Sequence, residues 1–106
     1  MKTDDFKTDV IFRKEKDGCI VAVFPYNIEG IYMNYAHILY YSHIGQHCCG
    51  LYSYALKETK PATKREYSDL KYELESDGYN LNVIKRRNYN KYLKALSEAR
   101  NIKSYL

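Results

Sequence analysis

The sequence predicts an α+β domain: an antiparallel sheet of about four to five strands with two helices, in the order ββββαβα. Three observations carry this reading. The first half holds short β-branched and aromatic runs separated by turn residues. A capping box at Thr63 opens an amphipathic stretch, and a second amphipathic stretch closes the chain. The 106 residues fit a single domain, able to bury a modest core without disulfides or a structural metal.

Residues 1–8 are polar and are expected to be disordered, leaving residues 9–106 as the domain. Asp9–Lys14 alternates as a strand, with Val10 and Phe12 on one face and Ile11 and Arg13 on the other. Asp17-Gly18 is a hairpin turn signal, and Cys19–Phe24 is the returning β-branched strand, closed by Pro25. Asn27–Gly30 reads as a loop. Ile31–His43 reads as a strand with two apolar faces, hence central, or covered by a helix on one side and a partner on the other. Gly45 and Gly50 bracket a short turn, and Cys48–Leu56 reads as a fourth strand with Tyr52 and Tyr54 on one face. Lys60-Pro61-Ala62 is a connector.

At Thr63 the hydroxyl can accept the Glu66 N–H while the Glu66 carboxylate accepts the Thr63 N–H. Tyr67, Leu70 and Leu74 follow at helical spacing, and Gly78 suits a residue just past the helix end, so a helix is expected over 64–77. Tyr79–Lys85 alternates as a fifth strand, with Tyr79, Leu81 and Val83 inward. Asn88 can cap a basic C-terminal helix over about 88–104, whose apolar positions are Tyr89, Tyr92, Leu93, Leu96 and Ala99. The helices are expected to pack on one face of the sheet, with the last free to project toward a partner.

Tyrosine is unusually abundant, 13 residues against 3 Phe and no Trp. Its ring fills core and its hydroxyl suits a half-wet or binding surface. No apolar run approaches the roughly 20 residues a membrane span needs, and the start, Met1–Phe6, has no apolar signal region. Three cysteines, two of them adjacent, are not a disulfide framework, so a cytoplasmic location is expected. The net charge of +4 is unevenly spread. Residues 79–106 hold seven Lys or Arg against Glu98 alone, a balance that attracts polyanions or acidic protein surfaces as readily as it solvates a helix face.

The pattern Asp9-Val10-Ile11-Phe12-Arg13, Gly45-Gln46-His47, Lys60-Pro61-Ala62-Thr63, Glu66-Tyr67, Leu70, Glu73-Leu74-Glu75 and Gly78-Tyr79 resembles a family of small uncharacterised proteins. They are encoded in bacterial genomes, often in prophages and other mobile elements. The resemblance covers residues 9 to 87. It implies an accessory, phage-borne setting and no particular chemistry.

No complete catalytic or cofactor signature is present. His43, His47, Cys48 and Cys49 form the densest group of potential ligands, but structural zinc sites draw on two separated pairs and no second pair follows. Adjacent residues of a strand also face opposite ways. A Cys48 or Cys49 thiolate paired with His47 or His37 lacks any local signature. Glu66, Asp69, Glu73 and Asp77 alternate with Lys64, Arg65 and Lys71 as a charge-laced helix face. No metal and no cofactor are therefore expected, and no enzyme activity; Gln46 and His47 remain as a polar site.

The strongest positive signal is the run from Lys85 to Lys94. Lys85, Arg86, Arg87, Lys91 and Lys94 supply cations, and Tyr89 and Tyr92 supply aromatic rings. These residues suit a protein interface, where Tyr and Arg are the usual anchors. They also suit nucleic acid, through phosphate contacts and base stacking. The expected function is a small non-enzymatic interaction protein that binds a protein partner, with self-association through the 31–43 strand or the last helix. The alternative is a nucleic-acid binder using 85–94, and a weaker one is a zinc or cysteine site near His47 and Cys48.

Overall fold

A computed structural model describes residues 7–32, 35–42 and 46–104, with the side chains of residues 32, 46–47 and 101–104 outside that description. Among the described residues the elements are β1 (Thr8–Glu15), β2 (Ile20–Tyr32), β3 (Tyr35–Ser42), β4 (Gln46–Gly50), α1 (Tyr52–Glu58), β5 (Thr59–Pro61), α2 (Lys64–Ser76), β6 (Leu81–Val83) and α3 (Tyr89–Ser104). The class is α+β with a largely antiparallel sheet, as expected. The order, however, is ββββαβαβα, with three helices rather than two.

The sheet runs β4-β3-β2-β1-β5, and β6 also pairs with β1. The first hairpin closes as its sequence predicts. Gly18 takes a positive φ of 95°, and the Asp17 carboxylate accepts the Cys19 N–H at 3.0 Å. Beyond it, β5 runs antiparallel along Arg13–Glu15, while β6 runs parallel along Thr8–Val10. Phe12 O accepts the Ala62 N–H and Val10 O accepts the Ile84 N–H. Carbonyls two residues apart point to the same edge of a strand, so β5 and β6 share one edge of β1 and diverge from each other near Ile11 and Phe12.

Several sequence expectations are corrected. The 31–43 strand is interrupted: Ile31 and Tyr32 end β2, and Tyr32 pairs with Tyr35 at the start of β3. Pro25 and Asn27–Gly30 do not end the second strand but lie inside it. The pairing jumps from Phe24↔Leu39 to Ile28↔Ile38, so Pro25 sits in a bulge where its missing N–H costs no ladder bond. The fourth strand, read over Cys48–Leu56, ends at Gly50, and residues 52–56 of it are helical. The connector at Lys60-Pro61 is a strand, and the last strand is parallel rather than antiparallel.

Nor do the helices share one face. Val10, Phe12, Ala22, Phe24 and Tyr41 pack with Leu70 and Leu74 of α2 and with Leu81. Ile11, Val21, Val23 and Ile38 pack on the opposite face with Ala55 of α1. The period-2 alternation of β1 and β2 thus feeds two cores at once, as a sheet covered on both sides requires. Stacked rings knit the α2 side, Phe12 on Tyr67 at 4.4 Å and Phe24 on Tyr79 at 5.3 Å between centroids.

Buried among these elements, Arg13 is 9% exposed. Its Nε donates to Thr59 Oγ1 at 2.8 Å, and its Nη2 donates to Leu56 O at 2.9 Å and Thr59 O at 2.7 Å. These bonds fix the C-terminal end of α1 to β1. Tyr40 fixes the other end: its hydroxyl donates to Leu51 O at 2.5 Å, and its ring lies where a Cβ on Gly50 would come within 2.9 Å.

Candidate binding surface at the last helix

Residues 85–88 lead into α3, and the fold treats their side chains unequally. Lys85 and Arg86 are exposed, whereas Arg87 is half-buried. The Arg87 guanidinium lies between two rings, 4.0 Å from the Tyr52 centroid and 3.8 Å from that of Tyr92. Its backbone N–H donates to the Tyr52 hydroxyl at 2.9 Å, and the next amide, Asn88 N–H, donates to the Tyr26 hydroxyl at 2.7 Å. Tyr26 is available there because the β2 bulge lifts it out of the ladder.

α3 itself begins as the sequence predicts, with Asn88 Oδ1 accepting the Lys91 N–H at 3.0 Å. The Lys91 ammonium reaches Asp9 at 3.0 Å and lies 4.9 Å from the Tyr26 ring centroid. Asn82 also donates to Asp9, at 2.9 Å. Burial pushes the Asp9 carboxyl up, but the bonds from Asn82 and Lys91 outweigh it and hold the carboxyl below its usual range.

The seven residues singled out from the sequence therefore divide. Arg87, Lys91 and Tyr92 are engaged in seating the helix. Lys85, Arg86, Tyr89 and Lys94 are exposed, Tyr89 at 62%. One turn on, Leu93 is 41% exposed. Tyr89, Leu93, Leu96 and Arg100 follow at i, i+4, i+7 and i+11, one flank of the helix. No described α3 side chain is fully buried.

Three partners of this arrangement, Asp9, Tyr26 and Tyr52, carried no signal in the sequence, because each meets α3 from tens of residues away. Other cations gather away from α3. Lys57 and Lys60 lie around β5, and Lys64 and Lys85 line one cleft beside it.

The remaining candidates are less organised. The side chains of Gln46 and His47, and residue His43, lie outside the described residues. Cys48 pairs in register with Tyr40 and Cys49 with Leu39, neighbours that pack into opposite cores, so the two thiols face opposite sides of the sheet. Burial pushes the Cys48 thiol up, and a hydrogen bond to Asp17 pushes the Cys19 thiol up, opposite to what a nucleophilic thiolate requires. Glu15, Asp17 and Cys19 bring three ligand atoms within 4.8 Å of one another at the exposed hairpin turn. Among the described residues no helix is long and apolar enough to cross a membrane. Comparison with family models, curated proteins and solved structures gives no match.

Proposed function

We propose that the chain is a small non-enzymatic interaction protein that binds another protein through the outer flank of α3. The observation that carries this reading is the exposed Tyr89–Leu93 pair on a helix held in place from beneath. Such a helix loses little conformational freedom on binding, which favours affinity, and an apolar flank at i, i+4, i+7 spacing suits a groove on a partner. Arg100 at the end of the flank, with Arg86 before it, favours a groove with an acidic rim.

Tyr89→Ala with Leu93→Ala tests this directly. Both residues are exposed, so folding stability should change by only about 0.5 kcal/mol. A protein captured by the wild type from the producing cell should be lost with the double variant. Equal capture by both forms would sink the reading, and light scattering separates a second copy from a foreign partner. Nucleic-acid binding rests on Lys85, Arg86 and Lys94, since Arg87 is held between Tyr52 and Tyr92 and Lys91 is paired with Asp9. A gel shift that weakens steeply with salt and with Arg86→Ala would favour it instead. We further propose an accessory, phage-borne genomic setting, on the resemblance of residues 9–87, which the neighbouring genes would test.

A further inference from the structure

We propose that the fork between β5 and β6 is a binding site for a small organic anion, an apolar body carrying a carboxylate or a phosphate. β5 and β6 share one edge of β1 and part from each other at Ile11 and Phe12. The gap is a cleft of about 570 Å³, within the range of small-molecule sites, roughly 300–1,000 Å³.

Its lining has two characters. Phe12, Ala62, Tyr67, Val83 and Ile84 make an apolar wall, in which the Phe12 and Tyr67 rings stack at 4.4 Å. Lys64 and Lys85 supply two exposed cations, the buried Arg13 is also part of the lining, and no carboxylate lines the cleft. Lys64 and Lys85 form no ion pair among the described residues, and Arg13 is held only on neutral oxygens: the Thr59 hydroxyl and the carbonyls of Leu56 and Thr59. The nearest cation on β1, Lys14, is by contrast neutralised by Glu66 at 2.7 Å. Two exposed unpaired ammonium groups, beside a buried guanidinium that no carboxylate neutralises, raise the local potential for an anion at a mostly apolar concavity, and the apolar wall favours one that also carries a ring or chain over a bare ion.

The cleft is distinct from the α3 flank, so it can hold or fail independently of the protein-binding reading. Amide NMR titration with phenyl phosphate and phenylacetate, with benzyl alcohol as the neutral control, tests it. Saturable shifts are expected at Ala62, Val83 and Ile84 with either anion, at least tenfold weaker with benzyl alcohol. Lys64→Gln with Lys85→Gln, both exposed and expected to leave the fold intact, should weaken anion binding at least fivefold. The stronger of the two probes identifies the head group. Three results would overturn the site: anions binding no better than benzyl alcohol, shifts unaffected by the double variant, or binding only of a single-stranded oligonucleotide with shifts spread across Lys57 and Lys60.

Discussion

Arg13 shows how one side chain can set the position of a whole element. A buried charge is tolerated when its donors are satisfied, and here three bonds run to the end of α1 and the start of β5. Lysine has no planar fork and cannot reproduce that geometry. Arg13→Lys should therefore cost about 1–3 kcal/mol, the usual range for leaving buried acceptors unsatisfied, read as a lower urea midpoint at unchanged slope. An unchanged midpoint would show that the clamp is dispensable. At the other end of α1, Tyr40→Phe removes the donor to Leu51 O and should cost about 1 kcal/mol. Burial also raises the Tyr40 hydroxyl to about 12. A raised folded pKa means the native state holds the proton more tightly, so this contribution is complete below pH about 10 and is lost as pH climbs toward 12. The loss should be smaller in Tyr40→Phe, which has no hydroxyl to titrate there.

At the scale of elements, α2 is the clearest case of local chemistry agreeing with the fold. Both bonds of its capping box form: Thr63 Oγ1 accepts the Glu66 N–H at 3.2 Å, and Glu66 Oε1 accepts the Thr63 N–H at 2.9 Å. Thr63→Ala should cost about 1 kcal/mol. The bond from Lys14, and then that from Thr63 N–H, hold the Glu66 carboxyl down at about 2. A depressed folded pKa gives stability that is present above the usual carboxyl range and is lost as pH falls from about 4.5 to 2. Glu66→Gln should flatten that part of the acid-stability profile, and an unaltered profile would contradict it.

α2 and the first hairpin were legible because their signals are local: a cap, a 3.6-residue apolar spacing, an Asp-Gly turn. α1 was not. Its N-cap is Leu51, with no capping side chain, and Tyr52 and Tyr54 mimic strand alternation while Ala55 is the residue that is buried. Tertiary burial decides that segment, not propensity. β5 is only three residues long and includes Pro61, which an edge strand accepts. The seven candidate residues around α3 were found from their types, but which of them point outward depended on Tyr26, Tyr52 and Asp9, which only the fold brings near.

For the molecule as a whole, the central contrast is between a sheet cored on both faces and a last helix attached mainly by polar contacts. β1, β2 and β3 bury Val10, Ile11, Val23 and Ile38 completely or nearly so, whereas the described α3 side chains are at most half-buried. What seats α3 is the Arg87 guanidinium between Tyr52 and Tyr92, the Lys91–Asp9 pair, and the two backbone donations to tyrosine hydroxyls. Segments with few buried apolar contacts open at lower free energy than the core, so α3 should release before the sheet does. Native-state hydrogen exchange should find smaller opening free energies for α3 amides than for those of Ile11 and Val23. Arg87→Ala removes two cation–π contacts and should lower the α3 values by about 1–2 kcal/mol while leaving Ile11 and Val23 unchanged. The Asp9 carboxyl is held below its usual range, so its pairing with Lys91 outlasts the protonation of ordinary carboxyls and fades only in stronger acid; lowering the pH that far should loosen α3 in the same selective way. One common exchange free energy for α3 and the sheet would show instead that the helix is integral to the core. The outcome bears on function: a helix that opens before the sheet yet is seated in most molecules presents Tyr89 and Leu93 as a preordered surface, and Arg87→Ala, by releasing it more often, should weaken partner binding as well.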